Sequence, residues 1–352
     1  MTCSIMHHIF SSSHTCIVQL RMGMNLKEGC VIVVVLSCIF FVGRVETRDY
    51  LFDRGICTGL GDRVGTMLTL AALARIEGAT VVFQWCNFHK GIFSQIRSHI
   101  PRWHGYNYSM VEFKSRFSLP AEIILVESIT AQHRTLPLVQ WTDVGVPAED
   151  GSDSVYTIAW KTTRLGRAQL SAREFKESYQ TVAGFFAASV AMEGQVYVAV
   201  HLRGPDNNTY YGDMDNLSLY CTGKVLKQLM ALNVSLVAIS NNVPWANELL
   251  GGRLRVSDGR SAYDDFSLLL GASGVVQHAW GGWSSYSHVP ALASGIPLIS
   301  TFRGSRHRHD LFRAQGGLPR EIYSCENRRD YVKAVAASVV RRFGRNYRSR
   351  RV

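Results

Sequence analysis

From Gln195 onward, short apolar runs alternate with stretches of helical spacing, and this alternation leaves few architectures open to the chain. Gln195-Val-Tyr-Val-Ala-Val200 is a continuous apolar strand that ends at His201. The spacing predicts a helix over 220–232, then a strand over 235–239 with Ser240-Asn241-Asn242 at its carboxyl end. A helix over 264–270, a strand over 274–277, a helix over 284–294, a strand over 297–300 and a closing helix over 328–343 follow. Strands that are apolar on both faces and separated by helices make a parallel sheet covered on both sides.

The first half repeats the theme less regularly. The folded body is expected to start near Tyr50, with a strand over 54–57 and the turn Thr58-Gly59-Leu60-Gly61-Asp62-Arg63. Val64, Met67, Leu68, Leu70, Ala71, Leu73 and Ala74 then recur at helical spacing, Gly78 closes that helix, and Thr80-Val-Val-Phe-Gln-Trp85 reads as a buried strand. Strand, glycine turn, helix, strand is the opening unit of a doubly wound sheet. Further strands are predicted over 122–126 and 155–160, with a surface loop over 144–153. Ser171 followed by Glu174 is a capping-box pattern that starts a helix reaching Met192. The whole therefore divides into two α/β halves, over 50–192 and 193–343.

Ligands of such sheets bind outside the carboxyl ends of the strands. That rule gathers three segments: His201 to Asp206, Ser240 to Asn242, and His278 to Ser287. A strand that delivers His201 and Arg203 offers a guanidinium fork matched to two phosphate oxygens, able to hold a diphosphate as it leaves. Asp265 stands at the start of a helix, where a carboxylate caps free amides. The glycines and serines at 281–285 precede another helix, and helix starts bind phosphate. Gly59 and Gly61 let backbone approach a ligand closely. Asp62, in the same turn, is the candidate base for an acceptor proton. The third glycine of the dinucleotide fingerprint is replaced by Val64. P-loop, serine-hydrolase and zincin motifs are absent, and no Cys-x-x-Cys or Cys/His cluster suggests a zinc ligand set.

The formal charge of +11 suits an anionic ligand. Part of it is local, since six arginines lie between Arg341 and Arg351, and 344–352 reads as a basic tail. No nucleic-acid module is present. Residues 29–43 are uncharged and apolar. As a helix they would span about 22 Å, against roughly 30 Å for a hydrocarbon core. The run reads as a short signal-anchor or the core of a signal peptide, preceded by an extension over 1–28. Export to the secretory pathway, ER or Golgi, follows from this. The sequons at Asn107, Asn207, Asn216 and Asn233 agree with it, as do Cys57, Cys86, Cys221 and Cys325, which allow one or two disulfides.

Val200-His201-Leu202-Arg203-Gly204-Pro205-Asp206 resembles the His-x-Arg-x-x-Asp segment of the fucosyltransferase superfamily, which includes the α1,2-, α1,6- and protein O-fucosyltransferases. The unit opening at Gly59 is similar to their first βαβ unit, and 264–297 to their carboxyl-terminal donor region. The resemblance covers about a third of the chain and implies two Rossmann-like domains of the GT-B type. It implies a metal-independent inverting transfer of fucose from GDP-fucose to a glycan or glycoprotein hydroxyl, with no cofactor. It makes Arg203 the diphosphate ligand and His201, Asp265, Ser284 and Ser285 donor neighbours, and Gly59, Gly61 and Asp206 complete the candidate nucleotide-sugar-binding set. The α1,2- and α1,6-enzymes carry a second arginine where this chain has Gly204, which leaves a UDP-sugar donor open. A non-catalytic glycan-binding relative is the reading from another class.

Overall fold

The computed structural model describes residues 48–52, 59–86, 108–141, 146–147, 153–154, 163–164, 172–190, 196–203, 216–252, 254–257, 261–279, 284–301 and 322–349. The chain divides at Thr47 and Arg48 into two units, and all described residues belong to the second. The apolar run at 29–43, Cys57, the strand expected over 155–160, Asn107 and Asn207 lie outside them. Among the described residues no helix is long and apolar enough to cross a membrane.

The fold is α/β with two parallel sheets. The first joins β1 (Arg48–Phe52), β2 (Ala79–Gln84) and β3 (Ile123–Val126) in that order. Its first strand ends at Phe52, and the strand expected over 54–57 lies outside the described residues. Tyr50, Leu51 and Phe52 pair with Val81, Val82 and Phe83, and the rings of Phe52 and Phe83 stack with centroids 5.3 Å apart. Helix α1 (Leu60–Glu77) joins β1 to β2. It starts at Leu60 rather than at Val64, because the Arg63 amide already bonds the Gly59 carbonyl at 3.2 Å. Gly61, Asp62 and Arg63 are therefore helical and not part of a loop. Gly78 takes the left-handed conformation at φ 61° that ends the helix, as the sequence predicts.

Every residue of α1 from Arg63 to Ala74 is buried. A helix that is apolar all round belongs in the middle of a core, and α1 packs against β2, α3 and α7. Arg63 is the charged exception, with Thr66 and Thr69 as the buried hydroxyls. Its guanidinium lies 4.6 Å from the ring centroid of Tyr108 and 5.6 Å from that of Trp85, and it donates to the Cys86 carbonyl. Burial lowers its pKa to about 10, against the opposing influence of Tyr108, Tyr263 and Asp62, so it keeps its charge at neutral pH.

Helix α2 (Met110–Arg116) precedes β3 and is capped by Ser109, whose side chain accepts from the Glu112 amide. The region expected as a loop over 144–153 contains instead a two-residue antiparallel pairing. Strand β5 (Val146–Pro147) meets β6 (Asp153–Ser154), while β4 (Gln140–Trp141) meets β7 (Thr163–Arg164). Helix α3 (Ala172–Ala188) then crosses to the second sheet.

That sheet is built from β8 (Tyr197–Arg203), β9 (Ser235–Ser240), β10 (Arg255–Val256), β11 (Val275–Ala279), β12 (Leu298–Ser300) and β13 (Ile322–Tyr323). Its spatial order is β10-β9-β8-β11-β12-β13, all parallel. The helices are α4 (Asn216–Ala231), α5 (Val243–Leu250), α6 (Ala262–Gly271), α7 (Ser285–Ser294) and α8 (Arg328–Ser349). Helix α5 and strand β10 are additions to the expected pattern. Helix α8 runs through most of the segment read as a basic tail, since arginine is a good helix former. A disulfide joins Cys221 on α4 to Cys325 ahead of α8, and Cys86 is also disulfide-bonded.

Alternation along β8 splits the packing around this sheet. Val198, Val200 and Leu202 face α4 and α8, through Cys221, Val225, Leu229, Tyr331 and Val335. Tyr197 and Ala199 face Leu269, Ala272 and Ala291 of the α6 and α7 segments. The other side of α6 and α7 belongs to the first core. Tyr263, Phe266, Leu270, Val289 and Leu292 cluster with Met67 and Leu70 of α1, Phe175 and Phe186 of α3, and Phe83 of β2. Polar contacts hold the same junction. Arg116 pairs with Asp264, the Ser261 hydroxyl donates to Glu112 at 3.1 Å, and the Tyr263 hydroxyl donates to the Ser109 carbonyl at 2.9 Å.

Because one apolar cluster takes side chains from both halves, Phe266→Ala should lower stability by about 3–5 kcal/mol. Urea unfolding followed by fluorescence and by far-UV circular dichroism should show a single shifted transition. Separate transitions for the two sheets would contradict a shared core.

Candidate functional site

In the second sheet the connections leave β8 towards β9 and β10, and leave β11 towards β12 and β13. The order reverses between the two neighbours β8 and β11, which is the switch point where such sheets open a crevice at their carboxyl ends. There His201 stands opposite Gln277, and Arg203 opposite Ala279. Arg203 is the last residue of the strand rather than part of the following loop, so regular backbone fixes its Cα. His201 and Arg203 share the face that Tyr197 and Ala199 present to α6 and α7.

The start of α7 closes the other side. Ser284 is its N-cap residue, buried, with no hydrogen bond from its side chain to the helix. Its carbonyl instead receives the Gln277 side chain at 2.8 Å. The same amide nitrogen reaches the Ser287 hydroxyl at 2.6 Å, and that hydroxyl lies 2.8 Å from His201 Nδ1. The Tyr286 ring stands 5.6 Å from the His201 ring and its hydroxyl donates to the Ala262 carbonyl, tying α7 to α6.

The first turn of α1 arrives at this point too. A Cβ added to Gly61 would lie 2.3 Å from the Ser285 carbonyl carbon and 2.4 Å from the Tyr286 nitrogen. Only a residue without a side chain lets the two helix starts meet so closely. Gly59, Gly61, Asp62, Ser284, Ser285, His201 and Arg203 are thus carried by three elements that converge. Asp62 occupies the first turn of α1, half-buried.

Asp265 is used differently from the sequence expectation. The cap of α6 is Ser261, whose hydroxyl oxygen accepts from the Tyr263 amide at 3.2 Å. Asp265 lies a turn further in, buried, and receives the Ser257 hydroxyl at 2.5 Å. Ser257 in turn bonds the Ala238 carbonyl, so Asp265 is tied to the β9–β10 side of the sheet. The Ser240–Asn242 segment has a local task. Asn242 caps α5 by accepting from the Trp245 amide, and Ser240 bonds the Asn242 backbone. Asp206 and Gly204 lie outside the described residues.

On the opposite face at the same height, His278 Nδ1 lies 3.2 Å from both the Thr222 and Thr301 hydroxyls, which are 2.8 Å from each other. This buried trio links α4, β11 and the end of β12. Neither Ser287 nor Gln277 carries an assigned role in the sequence reading. The available signal was a lone amide in an otherwise apolar strand, Val275-Val276-Gln277, which burial makes costly unless it is bonded. A surface depression lined by Lys114, Arg116, Phe117 and Ser189 shares no residue with the crevice. Its cations are engaged by the Leu125 carbonyl, Glu112 and Asp264. Among the described residues no group of three or more His, Cys, Asp or Glu stands together.

Burial, the Arg203 charge and then His278 lower the His201 pKa to about 3, so the ring is neutral at ordinary pH. The neighbouring guanidinium therefore supplies the positive charge on this face of β8.

No family model matches the chain, and no curated protein matches it in sequence. Among solved structures it is similar to the fucosyltransferase NodZ from Bradyrhizobium, at 16% identity and a TM-score of 0.41, over 72% of this chain and 95% of that one. It is similar to POFUT1 in complex with GDP, at 11% identity and a TM-score of 0.37, over 72% of this chain and 98% of that one. A UDP-N-acetylglucosamine 2-epimerase assignment from Listeria monocytogenes is also matched, at 9% identity and a TM-score of 0.38, over 83% and 89% of the two chains.

Two outcomes follow from the geometry. Gly61→Ala must displace the Ser285–Tyr286 backbone and should cost about 1–3 kcal/mol, read as a lower urea midpoint. An unchanged midpoint would mean that the two helix starts are not pressed together. His201 takes up a proton near pH 6.5 when unfolded but only near pH 3 when folded. Its contribution to stability is complete above pH 6.5 and falls by ~1.4 kcal/mol per unit as the pH drops towards 3. Between pH 6.5 and 5, His201→Gln should therefore lose about 2 kcal/mol less stability than the parent chain.

Proposed function

We propose that the crevice between β8 and β11 binds a nucleoside diphosphate sugar and that the protein is a glycosyltransferase, with GDP-fucose as the donor. The observation that carries this reading is the placement of Arg203. It ends the strand beside the switch point, on the face where the α1 and α7 helix starts meet. A guanidinium there can bridge two phosphate oxygens, and the free amides of a helix start add partial positive charge.

In the proposed reaction an acceptor hydroxyl attacks the anomeric carbon from the side opposite the diphosphate. The bond from that carbon to the phosphate oxygen breaks, and the nucleoside diphosphate leaves with the electron pair. Arg203 spreads the charge that builds on the leaving oxygens. The hydroxyl proton passes to a carboxylate, and Asp62 is the proposed acceptor of it because its turn adjoins the Ser285 backbone. The acceptor is a glycan or a glycoprotein hydroxyl.

The Cys221–Cys325 disulfide supports a secretory setting, where such bonds persist. The apolar run at 29–43 is proposed to act as the signal-anchor or signal peptide that takes the chain there. Gly204, standing where the α1,2- and α1,6-fucosyltransferases have a second arginine, favours a second reading in which the donor carries UDP.

Calorimetric titration with GDP and with UDP separates the two donors. The expected result is GDP binding that weakens about ten- to a hundredfold in Arg203→Ala, with the unfolding midpoint unchanged and fucose transfer abolished. UDP binding without GDP binding would replace the first reading by the second. Binding of neither, or wild-type turnover by Arg203→Ala, would overturn the assignment.

A further inference from the structure

We infer that Gln277 is a positioning residue, which fixes the tautomer of His201 through the Ser287 hydroxyl so that the ring offers Nε2–H to a phosphate oxygen of the donor. This rests on the proposed diphosphate site. The relay itself consists only of the protein's own groups.

Gln277 is fully buried on β11, between His201 on β8 and Ser300 on β12. Its orientation is settled by chemistry, because the Ser284 carbonyl can only accept and so must face the amide NH2. That places the second amide contact, at 2.6 Å, as a donation to the Ser287 oxygen. The amide's own Oε1 is buried with no hydrogen bond, so both donors are retained at the expense of the acceptor.

Ser287 is fully buried and has one proton to give. Its hydroxyl contacts Gln277 and His201 alone among the described residues. With Gln277 donating to it, the hydroxyl spends its proton on His201 Nδ1, 2.8 Å away. A ring that accepts at Nδ1 and is neutral carries its hydrogen on Nε2. The alternative tautomer would leave a buried hydroxyl proton without an acceptor, which burial makes costly. It would also present a lone pair, rather than a donor, beside Arg203 to an incoming anion.

The role is distinct from packing. Gln277→Met keeps the length and volume of the side chain but donates nothing, so the Ser287 oxygen loses its donor and can accept from Nδ1 instead. Ser287→Ala breaks the same relay at its second link, and serves if Gln277→Met does not fold.

The test uses the full chain labelled with 15N-histidine, with the His201 ring signals assigned by their loss in His201→Gln. The parent should show one tautomer, protonated at Nε2, and each variant a mixture of the two. GDP should bind about ten- to a hundredfold more weakly to the variants, the expected loss of a hydrogen bond to a charged group. An unchanged Nε2–H tautomer in a folded variant would overturn the positioning role, and so would GDP affinity equal to the parent's when the tautomer has shifted. Failure of GDP to bind the parent, with the tautomer shift present, would overturn the diphosphate site and leave the relay standing.

Discussion

Gly61 presses the first turn of α1 against the peptide between Ser285 and Tyr286, and much of the molecule is arranged around that contact. Helix α1 is buried along almost all its length, so its position is set by what surrounds it rather than by an amphipathic face. Helices α6 and α7 supply a large part of those surroundings while also covering the His201 face of the second sheet. One pair of helices therefore serves two cores. Any shift of α7 that relieved crowding at Gly61 would disturb the sheet packing through Ala291 and the His201 network through Ser287.

The crevice inherits its order from this arrangement. Arg203 and His201 come from regular backbone, whose register with β11 is fixed by hydrogen bonds on both sides of β8. The Gln277 amide then joins β11 to the first turn of α7. A site assembled from strand ends and helix starts holds its donors in place before a ligand arrives, which limits the entropy lost on binding. The two histidines at these strand ends are divided by the pleat. His201 faces α7, while His278 is held by threonines from α4 and the end of β12.

Several expectations from the sequence match the observed elements closely because the local signals are strong. The β8 run has five apolar residues, Val196 to Val200, before its polar end, the α1 helix has a glycine stop at Gly78, and the α7 helix has Gly295 in the left-handed conformation behind it. Other elements were hidden by their size or by their chemistry. Strand β10 is two residues long, and α5 announces itself only by the Asn242 cap and a proline. The glycines at 59 and 61 suggest a loop by composition, yet they open a helix because one abuts the Ser285 backbone. Asp265 looks like a cap by its position among apolar residues. Ser261 takes that place, and the carboxylate turns to Ser257.

The sequence by itself determined the parallel α/β class, the strand that runs up to His201, and the helix that starts after Ser284, because apolar periodicity and glycine stops act over a few residues. Tertiary structure alone decided the strand order that puts the reversal between β8 and β11, the sharing of α6 and α7 between two cores, and the bonding of Gln277 to Ser287. Those features join residues from separate elements, and no local pattern records which strand will lie beside which. The guanidinium of Arg203 suits a phosphate by its chemistry alone. Its neighbours became known only when the packing of α1 on α7 brought them to it.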